Sequence, residues 1–193
     1  MEALAMKLEA TPIKDMFVLH RAVHKDSRGQ FTRLYAAEGL AMAGRPTDAI
    51  HVNTSTSTQV GTLRGIHFQY APCAEAKIVA CTAGAIWDVG VDLRPESPTR
   101  FQWFGAELTP ENGRSMVIPE GFGHAFITLE PNSIAVYVVS AVYAPEFESG
   151  IRYDDPALAI EWPIQPSVVS DKDLDWKAVK DRIGEFDFGF RVR

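Results

Sequence analysis

The chain is poor in sulfur: Cys73 and Cys81 are the only cysteines among 193 residues. Two cysteines make neither a disulfide framework nor a CxxC zinc pair, so they are expected as free thiols in a reducing cytosol. Long hydrophobic runs are missing as well. No stretch approaches the roughly 20 apolar residues that span a bilayer. The opening MEALAMKLEATPI carries Glu2 and Glu9 and no uninterrupted apolar core, so it does not read as a signal peptide. There is no GxSxG elbow, no GxGxxG turn and no Walker loop, so a bound nucleotide would have to be held by side chains. Positive charge is in deficit: 19 Lys and Arg against 25 Asp and Glu give a formal charge of −6. Without a basic stripe to displace counterions, nucleic acid is not an expected partner. A cytoplasmic protein with no membrane partner is the expectation.

What the chain does have is an ordinary globular composition, 46% apolar and 23% charged, in a length that fits one domain over 1–193. Turn-forming marks recur at Asp26-Ser27-Arg28-Gly29, Gly61, Ala71-Pro72, Gly84, Pro98, Asn112-Gly113, Pro119 and Pro131-Asn132. Between them lie short runs rich in β-branched and aromatic residues: Lys77 to Cys81, Ile86 to Leu93, Phe101 to Leu108, Ser115 to Ile118, His124 to Leu129 and Ile134 to Val142. Each has strand length and is short for a helix. The pattern predicts an all-β jelly-roll or sandwich. Helical periodicity is confined to a C-terminal tail from about residue 171, strongest from Asp173 to Ile183, with Ser170 or Asp171 as N-cap.

Two of the five histidines stand in informative contexts. His67 lies in GTLRGIHFQ, between two strand-like segments, and His124 ends PEGFGH, a turn entering a strand. Gly113, Pro119, Gly121 and His124 fit half of a cupin metal signature. The other half is missing, because Gly65 and Gln69 flank His67 at the positions where further ligands would stand. Two histidines without a third ligand make a poor catalytic metal site, so no metal is expected. On its strand pattern alone Tyr137 is a buried phenol tied to a backbone carbonyl.

The motifs GTLRGIHFQ (61–69), Lys77 in EAKIV, DVGVDLR (88–94), PEGFGHAF (119–126), Tyr137 and Tyr143, GIRYDDP (150–156) and SDKD (170–173) occur in an order and spacing that resemble the dTDP-4-dehydrorhamnose 3,5-epimerase family. The resemblance implies a cupin-like jelly roll, a homodimer, no cofactor and a nucleotide-linked 4-keto-6-deoxyhexose as substrate, inverted at C3, at C5 or at both. It implies His67 as base, Asp173 as its carboxylate partner, Tyr137 as acid and Lys77 at the enolate oxygen. Tyr143 would stack on the nucleotide base. Arg28, His51, Asn53, Arg64, His124, Glu148 and Lys172 would line the rest of the pocket, Arg28 from an N-terminal segment that can reach the partner subunit. Three places depart from the family pattern: RGQF is followed by Thr32 and Arg33 where a glutamate is usual in that strand, His51 stands for a glutamine, and Ala80 for a basic residue. Rival expectations are a non-catalytic sugar-nucleotide binder and a metal-dependent cupin enzyme.

Overall fold

A computed structural model describes residues 6–37 and 49–182. Fourteen strands fall within them. They are β1 Met6–Ala10, β2 Phe17–Arg21, β3 Val23–Asp26, β4 Gly29–Thr32, β5 His51–Ser57, β6 Thr62–Gln69 and β7 Lys77–Ala83. The series continues with β8 Ile86–Asp92, β9 Trp103–Leu108, β10 Arg114–Ile118, β11 Phe122–Thr128, β12 Ser133–Val139, β13 Glu148–Gly150 and β14 Val168–Val169. The expected strands from Lys77 onward are all present, with ends shifted by a few residues. No described helix is long and apolar enough to cross a membrane.

Two sheets stack. The first runs β1-β2-β10-β7-β12-β5, and the second β13-β6-β11-β8-β9 with β14 added beside β6. Every pairing is antiparallel except β14 with β6, and β3 and β4 form a separate hairpin. Alternation explains the stacking, since successive side chains point to opposite faces. Val79, Cys81, Met116, Ile118 and Ala135 of the first sheet meet Ile86, Leu108, Phe122 and Phe126 of the second in one buried cluster. A fully buried Ile or Leu there contributes about 2 kcal/mol. The far face of the second sheet is covered by Ile151, Leu158 and Val179 packing on Phe68, Val89 and Val91. β12 is therefore packed on both sides: Ala135 and Tyr137 point into the sandwich, and Val138 packs outward with Leu19 and Ile78.

The C-terminal expectation needs correction. In place of a helix from Asp173 to Ile183 there is a single turn, Asp171–Leu174, capped by Ser170, and a 3-10 turn, Val179–Asp181. Ile183 lies outside the described residues. The helix stops because Trp176 turns inward. Its Nε1–H donates to Asp173 at 3.3 Å, and its ring fills the space over Gly150, where a Cβ would sit 2.5 Å from the indole. That tertiary contact overrides a modest helix propensity.

Candidate active site

The site opens between the two sheets, where β5, β12 and β7 of the first face β6 and β11 of the second. Register decides which side chains enter it. Tyr137 pairs with Asn53 on one side and Val79 on the other, and Val139 pairs with His51 and Lys77, so all these positions face inward together. On the opposite wall His124 pairs with His67, and Phe126 pairs with Arg64. Arg64 and His67 are three apart and would fall on opposite faces of a regular strand. A register shift between the two pairs sets both into the cleft. Gly65 sits at the shift with φ +124°, and a Cβ there would lie 2.6 Å from the His124 carbonyl oxygen and 2.5 Å from Ala125 Cβ. Only glycine fits that backbone at that distance.

Two lobes share His67, Lys77 and Tyr137. One, of about 420 Å³, is bordered by Arg64, His124 and Lys172; the other, of about 310 Å³, by His51, Asn53, Glu75, Tyr143 and Glu148. His67 Nε2 lies 2.5 Å from Asp173 Oδ1. Asp173 is 3% exposed. Burial raises its pKa, but the bonds and charge of His67 and the Gly65 N–H outweigh that and hold the carboxyl below the usual carboxylate range. Trp176 adds its indole N–H and stands edge-on to the His67 ring. With Nε2–H given to Asp173, Nδ1 of the neutral imidazole carries the lone pair.

Tyr137 makes no hydrogen bond among the described residues, so the backbone-tied reading of this phenol fails. Burial, with the charge of Glu75 added, pushes its pKa above that of a free phenol. Lys77 Nζ lies 3.1 Å from Glu75 Oε1. At the mouth, Tyr143 Oη and Lys172 Nζ both donate to Glu148 Oε2 at 2.7 Å. Burial works against the Glu148 charge, yet Lys172 and Tyr143 bring its pKa below normal. Arg64 reaches across to β5, its Nε 3.3 Å from Ser57 Oγ.

Of the residues expected from the sequence, the cleft of one chain gathers all but Arg28. That side chain is 88% exposed at the β3–β4 turn and pairs with Asp26 at 2.6 Å. Two further carboxylates belong to the site, Glu75 on the cleft wall and Asp88 behind His124. Asp88 is fully buried, and its Oδ1 lies 2.7 Å from His124 Nε2, making a second His–Asp pair. Its signal was the inward register of β8, where Asp88 pairs with Phe126. His67 and His124 thus each spend Nε2 on a carboxylate, and among the described residues no three His, Cys, Asp or Glu side chains cluster as metal ligands. The donor set does not fit a cupin metal.

A lone pair on one wall and a protonated phenol on the other, with an ammonium on the cleft floor, equip a cupin-like sandwich for proton exchange at two faces of one molecule, which is the chemistry of a sugar epimerase. The chain belongs to the dTDP-4-dehydrorhamnose 3,5-epimerase family, whose model matches residues 10–181. It is 38% identical over 169 residues to the dTDP-4-dehydrorhamnose 3,5-epimerase of Sinorhizobium fredii, covering 87% of both chains. Among solved structures it is similar to the 3,5-epimerase of Legionella pneumophila in complex with dTDP-4-keto-L-rhamnose, at 35% identity and a TM-score of 0.88 over 94% of this chain and 97% of that one. It is also similar to a 3'-monoepimerase from Streptomyces bikiniensis in complex with dTDP-quinovose, at 32% identity and a TM-score of 0.83 over 90% and 89% of the two chains.

Proposed function

We propose that the chain epimerises a dTDP-linked 4-keto-6-deoxyhexose at the carbons beside the ketone. The observation that carries this reading is the placement of His67 on β6 and Tyr137 on β12, one on each facing sheet of a shared cleft. The ketone acidifies hydrogens on C3 and C5. His67 Nδ1 takes such a proton, and the carbon–hydrogen electron pair moves to the C4 oxygen as an enolate. Asp173 stabilises the imidazolium that forms. The Lys77 ammonium stabilises the enolate oxygen. Collapse of the enolate takes the Tyr137 proton on the opposite face, and both groups return to their starting states by exchange with water. A neutral imidazole suits this task near pH 7.

Tyr143 stacks on the base, and Arg64 and Lys172 hold the diphosphate as charge-assisted donors. His51, Asn53, His124 and Glu148 complete the sugar and nucleotide contacts. The active form is a homodimer in the reducing cytosol, folded from one domain, in which the β3–β4 turn carries Arg28 into the partner's cleft.

The test is incubation with dTDP-4-keto-6-deoxyglucose in D₂O, with NMR at each carbon. Deuterium at C3, C5 or both, together with inversion at the labelled carbon, supports the reading and counts the centres. Tight binding without deuterium at either carbon would reduce the protein to a sugar-nucleotide binder.

A further inference from the structure

Glu75 is a cleft carboxylate to which the roles above give no work. Its Oε1 stands 3.1 Å from Lys77 Nζ, and the two side chains are only 13% and 10% exposed. It is no solvated loop charge, because the loop before β7 is pinned on both sides. The Ala76 N–H donates to Ser140 Oγ at 2.8 Å, and the Ser140 N–H returns a bond to the Ala76 carbonyl at 3.1 Å. Gln69 Nε2 donates to the Cys73 carbonyl at 2.9 Å. The backbone that carries Glu75 is thereby fixed to the ends of β12 and β6. A lysine side chain is long and rotamer-rich, and a single fixed acceptor restricts where its charge can sit.

We propose that Glu75 is a positioning residue that anchors the Lys77 ammonium in the cleft, leaving its other N–H groups for the substrate's carbonyl oxygen. An ammonium has three N–H groups, so an ion pair with Glu75 on one side leaves others to face the enolate. A second consequence follows from its charge. Glu75 shares its lobe with His51 of β5, His67 of β6, Lys77 of β7, Tyr137 of β12, and Tyr143 and Glu148 beyond β12. Of these, Tyr137 feels it directly: the carboxylate adds to burial in keeping the phenol protonated, against the opposing charge of Arg64. Glu75 therefore serves acid and enolate partner together.

The inference rests on Lys77 meeting the enolate, and Lys77→Ala is measured alongside to separate the two. Glu75→Ala is expected to lower kcat at least about tenfold by loosening the ammonium, while KM and dTDP affinity change little. Glu75→Gln keeps an acceptor for Lys77 and removes the charge, so it retains more kcat and moves the alkaline limb of its pH profile to lower pH. Unchanged melting temperature and dTDP binding show that each variant is folded; if Glu75→Ala does not fold, Glu75→Gln and its pH profile decide. The inference is overturned if Lys77→Ala is inactive while the Glu75 variants keep wild-type kcat and an unmoved alkaline limb. It is also overturned if they lose dTDP binding in step with activity. If Lys77→Ala keeps full kcat, it is the reading of Lys77 that fails, and the anchoring role falls with it.

Discussion

Asp173 acts on His67 through one short hydrogen bond; its carboxylate also accepts from the Gly65 N–H and the Trp176 indole N–H, and its own N–H donates to Ser170 Oγ. An Asp173→Asn variant keeps the shape but loses the charge that stabilises the imidazolium. Its kcat is expected to fall on the order of 10³-fold, measured by steady-state turnover. A stability effect accompanies it. The Asp173 carboxyl is depressed in the folded state, so its charge stabilises the protein fully above its unfolded pKa of about 4. That contribution is lost as pH falls through the lower folded value. Denaturant titrations of wild type and Asp173→Asn are expected to differ at pH 6 and to converge in strong acid. A gap that stays constant from neutral to acid pH would contradict the assignment. Tyr137 is the opposite case, since its raised pKa keeps the phenol protonated across the working range.

At the scale of the strand, β6 shows what the sequence could and could not reveal. Strands β7 to β12 were legible because their β-branched runs alternate regularly between turn residues. In sequence β6 lies between two strand-like segments, and Arg64, Gly65 and His67 interrupt its apolar pattern. The interruption is the site itself: the register shift at Gly65 sets Arg64 and His67 on one face, and period-two alternation has no means of forecasting it. Gly65→Ala is expected to cost about 3 kcal/mol from the left-handed φ and the clash with β11, and to abolish turnover by moving His67. Thermal unfolding and activity check both, and a variant with wild-type values would show that the shift does not depend on glycine. The C-terminal tail failed for a related reason. A helical pattern after Asp173 describes local preference, whereas Trp176 is used to close the space around His67 and Gly150. The roles themselves were legible only from the ordered motifs. Lys77 and Asp173 are about a hundred residues apart and would each read alone as ordinary surface charges. Asp88 and Glu75 lie inside the quoted motifs DVGVDLR and EAKIV, but their contacts with His124 and Lys77 come from the fold and not from their local sequence.

For the molecule as a whole, a formal charge of −6 is compatible with an anionic ligand because the cleft gathers cations of its own. Arg64, Lys77 and Lys172 border it, and a diphosphate needs only a few converging donors. Arg28 is the one expected cation that points elsewhere, and the role proposed for it belongs to the proposed homodimer. Mixing Arg28→Ala with His67→Ala subunits tests this. If Arg28 serves the partner's cleft, a mixed dimer holds one complete site, and two weak variants regain activity on mixing and subunit exchange. If Arg28 serves its own chain or none, the mixture has only the average of its parts.

Base and acid on opposite walls predict a particular partition between exchange and inversion in D₂O, and that partition is the most direct measurement. With dTDP-4-keto-6-deoxyglucose, His67→Ala is expected to leave C3 and C5 unlabelled. Tyr137→Phe is expected to incorporate deuterium with the configuration retained, because the proton leaves to His67 and returns from the same side. Inversion at wild-type rate in Tyr137→Phe, or undiminished labelling in His67→Ala, would contradict the two-walled mechanism.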